Sequence, residues 1–579
     1  MKRCPTCNRL ETDDALVFCR ADGAVLVNDS SSFGNEAGTA RLGSTSAATE
    51  IETSVLPHRT NASTNRPTAP TTVLPAMPPP GATRELTKPK RGRVAITIVL
   101  LIALAIAIGG YLYLARKDKA AIQSIAVMPF VNGSGNADVE YLSDGMTETL
   151  ISSLSQLPNL NVKARSSVFR YKDKVTDSKT IGKELNVQAI LNGHVVQRGD
   201  QLTLSLELVD VQTENVLWSQ QYVRRQSDLV TLQSEIARDV STKLKSKLSG
   251  ADVAKIEKNY TTNPEAYQLY LKGRYQWNRR TAESLKQAVE FYKEAIEKDP
   301  NYAQAYAGLA SSYIYFPNFS IALPKDSMPQ AKAAAMRALE LDDSLAEAHV
   351  VLGRYRAYFE WDRDGGEKEL RRAIELEPNF EWAHSTLGTV IAKQKRFDEA
   401  ITEAKLGAEL DPLALSLAIG VTERLTEARR YDEAISQLKK LLLMDPNFAS
   451  IHYDLGWAYY GKGMYKESIS SYQKYRELSD DPEAIGYITL SQAKLGHRDE
   501  ALKQLEWLKR ESAKRYVPSH ALALAYVALG QKDEAFVWLE KEVAEHTGYA
   551  SSYAVEPTLD DVRDDPRFKA MLKRMNLPE

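Results

Sequence analysis

Hydrophobic and polar positions recur with different periods along the chain, and the longest apolar run is the clearest of these patterns. Residues 94–115 contain no charged side chain in 22 positions. As an α-helix this run would be about 33 Å long, which is sufficient to cross a hydrocarbon core of about 30 Å. A buried core helix is the alternative, but clusters of Lys and Arg flank both ends, as is typical of the two surfaces of a membrane. The pattern predicts a single transmembrane helix.

Between residues 121 and 250 the hydrophobic period changes between that of a strand and that of a helix. Residues 124–130 predict a buried strand, and residues 139–156 predict a helix with one apolar face. Three further strands and a closing amphipathic helix are predicted at 189–197, 202–211, 216–223 and 228–248. This alternation predicts an α/β domain.

From residue 264 to residue 579, helical patterns recur with a period near 34 residues. Small side chains mark the second helix of successive units, 33 or 34 residues apart, at Ala400, Ala434, Ser468, Ala501 and Ala535. A small residue at such a position lets two antiparallel helices approach closely. We count about eight units, followed by a capping helix near residues 565–574. The pattern predicts an all-α superhelix of stacked helical hairpins.

Leu-Gly pairs and unit endings such as AIELEP accompany this period, and the array resembles the tetratricopeptide repeat. The resemblance implies a concave groove that binds peptide segments or partner helices. Aromatic and arginine side chains are the usual anchors of protein interfaces. We therefore predict partner-binding residues on the groove face of units one, three and six: Tyr270, Arg274, Trp277, Arg354, Tyr358, Tyr453, Trp457 and Tyr460. Packing of these rings between adjacent repeats is the alternative.

A second resemblance covers residues 121–250. The segments IAVMPF, YLSDGMTETLISSLSQLP, VLWSQQY and DLVTLQSEIARDV occur in this order, and together they resemble the TolB amino-terminal-like domain. In bacteria that domain lies between a membrane helix and tetratricopeptide repeats, in relatives of adenylate cyclases, winged-helix regulators and protein kinases. The resemblance implies a non-enzymatic domain that contacts other envelope proteins, and no catalytic residue carries over from it.

The three cysteines all lie within the first twenty residues, which excludes a disulfide scaffold. Cys4, Cys7, Cys19 and Asp22 have the spacing C-x2-C and C-x2-D, which two knuckles of a structural zinc ribbon would require. The segment resembles short bacterial ribbons with CPxC and FCxxDG, although Asp22 stands where a cysteine is usual. A weaker three-ligand site and a ribbon without metal are the alternatives. We expect a zinc-ribbon-like segment at residues 1–28 that holds a structural zinc ion.

Residues 29–93 contain mainly Ser, Thr, Pro and Ala, and this composition predicts a disordered linker. Five basic residues precede the apolar run and three follow it, which favours a cytoplasmic N-terminus. The N-terminal thiols suit a reducing compartment, whereas the thiol-free remainder suits an oxidising one. We therefore expect residues 1–93 in the cytoplasm and residues 116–579 on the other side of a bacterial inner membrane.

Charge and motifs narrow the possible functions. The chain has 74 Lys and Arg residues and 76 Asp and Glu residues, and this balance argues against a general nucleic-acid binder. The sequence contains no Walker A loop, H-E-x-x-H, G-x-S-x-G or kinase signature, and we expect no enzymatic activity. The leading hypothesis is a membrane-anchored scaffold or adaptor that binds protein partners. The alternative is a membrane-bound signalling or transcription regulator whose zinc ribbon is the effector.

Overall fold

The computed structural model describes residues 122–157, 160–244, 258, 261–319 and 321–579, and the backbone of three short N-terminal strands. These strands form an antiparallel sheet with β1 in the middle: β1 (Lys2–Arg3), β2 (Leu10–Glu11) and β3 (Val27–Asn28). The predicted zinc ligands, the linker and the apolar run 94–115 lie outside the described residues. Among the described helices, none combines the length and the apolar character that a bilayer crossing requires. The chain divides into two compact units, residues 1–96 and 97–579.

The second unit begins with a mixed six-stranded sheet. Its strands are β4 (Ser124–Val127), β5 (Val131–Asn132), β6 (Asn161–Val162), β7 (Ala189–Arg198), β8 (Gln201–Asp210) and β9 (Val216–Arg225). The strand order is β6-β4-β7-β8-β9, with β5 paired beside β7. Strand β4 runs parallel to both of its neighbours, whereas β7, β8 and β9 form an antiparallel meander. In the described part of the domain, four α-helices accompany the sheet: α1 (Glu140–Ser155), α2 (Arg165–Phe169), α3 (Ser178–Leu185) and α4 (Leu229–Lys243).

The alternation of side chains in β8 determines which face of the sheet is covered. Leu202, Leu204, Leu206 and Leu208 are almost completely buried, while the polar residues between them face outward. The hairpin between β7 and β8 turns at Gly199, whose φ of 60° lies in the left-handed region that glycine adopts without strain. An α/β domain with a sheet is therefore present, as the sequence predicts.

Eight helical hairpins follow in the described part of the chain, and we number them as repeats 1 to 8 with helices A and B. In chain order these helices are Pro264–Asn278 and Ala282–Lys298, Ala303–Tyr315 and Pro324–Leu341, Ala346–Tyr358 and Arg363–Leu376, Glu381–Ala392 and Phe397–Leu410, Leu415–Glu427 and Tyr431–Met444, Ala449–Gly461 and Tyr465–Ser479, Glu483–Lys494 and Arg498–Ser512, and Ser519–Ala528 and Lys532–Glu545. Together they form the predicted helical superhelix.

Close packing within each hairpin depends on small side chains. The five small residues that mark the period on helix B are all fully buried. At Gly366 of repeat 3, an added Cβ would lie 2.7 Å from the carbonyl oxygen of Gly353 on the partner helix. A larger side chain at such a position would therefore separate the two helices.

The turn between helices A and B provides a second regular feature. In repeats 1 and 3 to 8 this turn carries a residue with a positive φ: Arg280, Trp361, Lys395, Arg429, Gly463, Gly496 and Gly530. Repeat 2 instead has a short 3-10 helix, Phe316–Phe319, after its helix A. We call the row formed by these turns the turn edge of the array.

Residues 547–579, which we call the C-terminal segment, continue beyond repeat 8. The segment contains two 3-10 helices, Ala550–Ser552 and Pro557–Val562, and the α-helix Pro566–Arg574. Phe568 and Met571 of this last helix are fully buried in a hydrophobic core that the segment shares with repeats 6 to 8. The segment is thus an integrated part of the array rather than a loose tail.

Candidate partner-binding surface

The predicted partner-binding residues all belong to helices A, and the structure surrounds most of them with other parts of the same chain. Tyr270, Trp277, Trp457 and Tyr460 each expose less than a tenth of their surface. Arg354, Tyr358 and Tyr453 are partly buried, and Arg274 lies between two domains. Binding to an external partner remains a prediction for all eight residues.

Arg274 connects the α/β domain to two different repeats. Its Nε donates to Oε1 of Glu148 on α1 at 2.7 Å. Its Nη1 donates to both carboxylate oxygens of Glu347 in repeat 3, at 3.0 and 3.1 Å. Burial alone would lower the pKa of Arg274, but the two carboxylates raise it, so the guanidinium stays charged. One side chain of repeat 1 therefore ties α1 to helix A of repeat 3.

Further contacts hold the α/β domain against the array. The hydroxyl groups of Ser166 and Ser167, at the start of α2, both donate to the buried carboxylate of Asp411 after repeat 4. The side-chain amide of Asn379 donates to the carbonyl oxygen of Leu160 at 3.3 Å. Because these contacts involve loops after repeats 3 and 4 as well as repeat 1, the domain is fixed across half of the array.

The C-terminal segment contacts the later repeats, as the α/β domain contacts the earlier ones. The indole Nε1 of Trp457, a predicted anchor, donates to Oε1 of Glu556 at 2.7 Å. Arg429 on the turn edge forms two hydrogen bonds with Asp560, at 2.7 and 2.8 Å. Lys494 donates to Asp561 at 2.8 Å. The acidic side chains of this segment thus pair with basic and aromatic groups of repeats 5, 6 and 7.

The end of the C-terminal segment reaches back to the turn of repeat 3. Arg363 donates through Nη1 to the carbonyl oxygen of Met575 at 2.5 Å. The side-chain amide of Asn576 donates to the carbonyl oxygen of Trp361 at 3.3 Å. The imidazole of His546, just before the segment, stacks on the ring of Phe359 with centroids 4.4 Å apart. Repeats 3 and 8 are therefore linked directly.

A buried cluster of ionisable side chains holds the first part of this segment. His520 is 1% exposed, and its Nδ1 lies 3.1 Å from Oε2 of Glu542. The phenols of Tyr549 and Tyr553 donate to Glu483 and Glu542, respectively. Burial raises the pKa of Glu483 to about 7. Burial alone would lower the pKa of His520, but the adjacent Glu542 outweighs it and raises the pKa to about 9.

Three histidines at similar places in helices A have a structural role. His349 and His384 each have one ring nitrogen 2.7 Å from a glutamate of the following helix B. The other ring nitrogen of each lies about 3 Å from a backbone carbonyl oxygen before helix A, as does Nε2 of His452. In the part of the chain that the structure describes, no group of three or more His, Cys, Asp or Glu side chains is arranged to hold a metal ion.

Models of known families match two parts of this chain. Two tetratricopeptide repeat models match residues 424–463 and 449–481. The chain contains tetratricopeptide repeats. This confirms the repeat type predicted from the sequence, and arrays of this type generally bind proteins or peptides. The model for the second domain of HilA/YgeH-like transcriptional regulators matches residues 121–239. The resemblance of this region to the TolB amino-terminal-like domain stays a prediction.

Individual relatives correspond to parts of this chain. Putative adenylate cyclase 3 of Rhizobium meliloti is 32% identical over 231 residues, which are 40% of this chain and 39% of that protein. Transcriptional regulator HilA of Salmonella typhimurium is 32% identical over 85 residues, 15% of each protein. The chain thus spans well under half the length of these relatives. The crystal structure of YrrB, a TPR protein with an unusual peptide-binding site, is 22% identical, covers 33% of this chain and 93% of YrrB, and has a TM-score of 0.25.

We expect the substitution Arg274→Gln to destabilise the chain by about 3–5 kcal/mol, because it leaves Glu148 and Glu347 without their shared cation in a largely buried site. Denaturant unfolding of the detergent-purified chain measures this loss. The matched control is Arg372→Gln, which removes an exposed charge paired with Glu375 on the same helix and should cost less than about 1 kcal/mol. Equal losses in the two variants would contradict the bridging role of Arg274.

We also expect the thermal stability of the chain to fall as the pH rises from 6.5 to 9. The pKa of His520 is about 9 in the folded chain, against 6.5 when unperturbed, so its stabilising proton is lost as the pH rises through about 9. Glu483, with a pKa of about 7, acts in the same direction because its neutral form is favoured only in the folded state.

Circular dichroism melts across this pH range measure the effect. In His520→Gln the decrease should be clearly smaller, whereas it should persist in His452→Gln, because the His452 ring bonds to a backbone carbonyl and to no carboxylate among the described residues. A melting temperature that rises with pH in the unaltered chain would show that the charged form of His520 does not stabilise the fold.

Proposed function

We propose that this chain is a membrane-anchored scaffold or adaptor that has no catalytic activity of its own. The tetratricopeptide array supplies the protein-interaction surface. The apolar run 94–115 anchors the second unit beside the bilayer, and the α/β domain adds a second surface for partners, as its resemblance to envelope-contacting domains implies.

The observation that carries this proposal is the fixed attachment of the α/β domain to the array. Arg274, Asp411 and Asn379 form polar contacts to it from three different places along the repeats. An added Cβ at Gly145 of α1 would lie 2.9 Å from Leu271 in helix A of repeat 1, so the two helices are in close contact. A rigid combination of two binding modules suits a scaffold, because it presents both surfaces in one fixed geometry.

The absence of catalytic activity is supported by the roles of the ionisable groups. The buried acids, histidines and arginines described above pair with one another between helices, and such pairs stabilise packing. The adenylate cyclase activity in the name of one relative belongs to that protein, of which this chain matches 39%.

On the cytoplasmic side we place the zinc ribbon, with Cys4, Cys7, Cys19 and Asp22 as ligands of a structural zinc ion. Three thiolates and one carboxylate are a suitable donor set for this metal. The ribbon then recruits an intracellular partner, while residues 116–579 lie outside the inner membrane. The chain would in this way connect proteins on the two sides of the membrane.

Site-specific photo-crosslinking in living cells tests the scaffold. A benzoylphenylalanine at Tyr358, a partly exposed predicted anchor, should give an adduct with a defined protein that stays in carbonate-washed membranes. The same group at Leu443, which is 86% exposed on helix B of repeat 5, is the control and should give none. Release of the chain by the carbonate wash would contradict the anchor. Absence of any adduct at Tyr358 would contradict the scaffold.

A transcription regulator is the second candidate, and the match to the HilA/YgeH-like domain favours it. In that case the zinc ribbon would contact DNA. Residues 1–28 have nearly balanced charges, and we therefore expect no sequence-specific DNA in immunoprecipitates of the formaldehyde-treated chain. Specific fragments that are present with the unaltered chain and absent with Cys4→Ser would instead support the regulator.

A further inference from the structure

On the later repeats, cations of the turn edge bind acceptor groups that belong to the same chain. There the C-terminal segment supplies carboxylates to Arg429 and Lys494, and backbone carbonyl oxygens to Arg363 and Lys395. Each of these cations lies at or beside an A-to-B turn. On repeats 3, 4, 5 and 7, therefore, the turn edge carries a cation that is covered by an acceptor-rich segment of the same chain.

On repeats 1 and 2 the same edge has a cation without such a cover. Arg280 occupies the turn of repeat 1 with a φ of 51°. Its guanidinium stacks 3.6 Å from the ring centroid of Trp277 and 4.4 Å from that of Tyr315. Among the described residues, no carboxylate or other acceptor bonds to this guanidinium. Two rings hold this guanidinium in place, and it has no ion pair with a described residue.

Buried donors without acceptors surround this arginine. The Nε of Arg354, whose guanidinium lies 5.5 Å from the ring centroid of Tyr315, has no hydrogen-bond partner in the described structure. The same is true of the indole Nε1 of Trp277, which is 8% exposed, and of Trp382, which stacks on Tyr315. We call Trp277, Arg280, Tyr315, Arg354 and Trp382 the donor cluster.

The kind of group that is missing follows from this pattern. The unpaired atoms of Arg354, Trp277 and Trp382 are all N–H donors, and a buried donor without an acceptor is destabilising. Arg165 and Arg274 lie close by, and Glu148 and Glu347 are the carboxylates that pair with them. Neither Arg280 nor Arg354 forms an ion pair with either carboxylate in the described structure. A group that accepts several hydrogen bonds and carries negative charge would complete the cluster.

We propose that the donor cluster binds acidic side chains of a partner polypeptide, which continues along the turn edge where the C-terminal segment ends. On the donor cluster, the partner's carboxylates make the same kind of contact that Asp560 and Asp561 make with Arg429 and Lys494. The rings of Tyr315 and Trp382 contact the apolar residues of the same segment. This inference rests on the scaffold function and specifies which chemistry the scaffold recognises.

A labelled peptide with the chain's own acidic sequence EPTLDDVRDD, residues 556–565, is the probe. We expect it to bind the full-length detergent-purified chain in fluorescence anisotropy, with an affinity that falls as salt increases. The peptide EPTLNNVRNN, which lacks the aspartates, should bind at least about tenfold more weakly. Equal binding of the two peptides would overturn the proposal.

The variant that tests the site combines Arg280→Gln with Arg354→Gln. It should bind the acidic peptide about tenfold more weakly, or weaker still. The matched control is Arg337→Gln with Arg372→Gln, which removes two exposed arginines paired on the outer helices and should leave the affinity within about twofold. Circular dichroism of both variants establishes that the repeats are folded. The salt series on the unaltered chain tests the charge contribution without any substitution. Equal weakening in the two variants would overturn the assignment.

Inorganic phosphate and free glutamate are also tested as competitors of the labelled peptide. If either competes with the peptide at micromolar concentration, the cluster is a site for small anions and the proposed polypeptide partner is wrong. If the peptide does not bind while crosslinking at Tyr358 succeeds in cells, the scaffold function stands and this site falls. If the peptide binds but no partner is crosslinked in cells, the donor cluster stands as a site for acidic peptides and the scaffold function falls.

Discussion

The stacking of helical hairpins is the constraint on which this structure depends. A single hairpin cannot cover its apolar face, so each repeat requires a neighbour on both sides. The small side chains at Ala400, Ala434 and their equivalents allow the close contact within each hairpin, and they are fully buried. Stacking of this kind leaves a continuous inner surface, and the chain must either expose that surface or cover it.

This chain covers much of that surface with its own segments. The α/β domain is fixed to repeats 1, 3 and 4 through Arg274, Asn379 and Asp411. The C-terminal segment covers repeats 5 to 7 and returns to Trp361 in repeat 3. Most of these contacts are charged or polar, and they are specific in geometry because buried donors and acceptors require defined partners. The inner surface of the array is therefore covered to a larger extent than that of an array with an open groove.

The sequence predicts local features of this fold well, because periodicity reports local structure. The 34-residue spacing identifies the hairpins, and the leucine alternation of β8 identifies the covered face of the sheet. The spacing also places Trp457 on helix A of repeat 6. It cannot reveal what contacts that residue, since Glu556 lies 99 residues further along the chain. Asp411 likewise shows no local sign of its bonds to Ser166 and Ser167, about 245 residues earlier. The short helix α2 that carries these serines has too few residues to show a period.

The same reasoning explains why the donor cluster is significant. Elsewhere in the array, two buried arginines on helices A have partners: Arg424 bonds to Glu427, and Arg274 bonds to Glu148 and Glu347. Other buried polar atoms of the described chain also lack a partner, such as Nε2 of His520 and the hydroxyl group of Tyr472. Arg354, Trp277 and Trp382 differ because they bring three unpaired N–H donors together around one ring, and each unpaired donor lowers stability. Such a cost is expected where a binding partner supplies the acceptors, because affinity then comes from bonds that the free chain cannot form by itself. The unpaired donors of repeats 1, 3 and 4 thus distinguish the surface that we propose for a partner from the surfaces that the chain covers with its own residues.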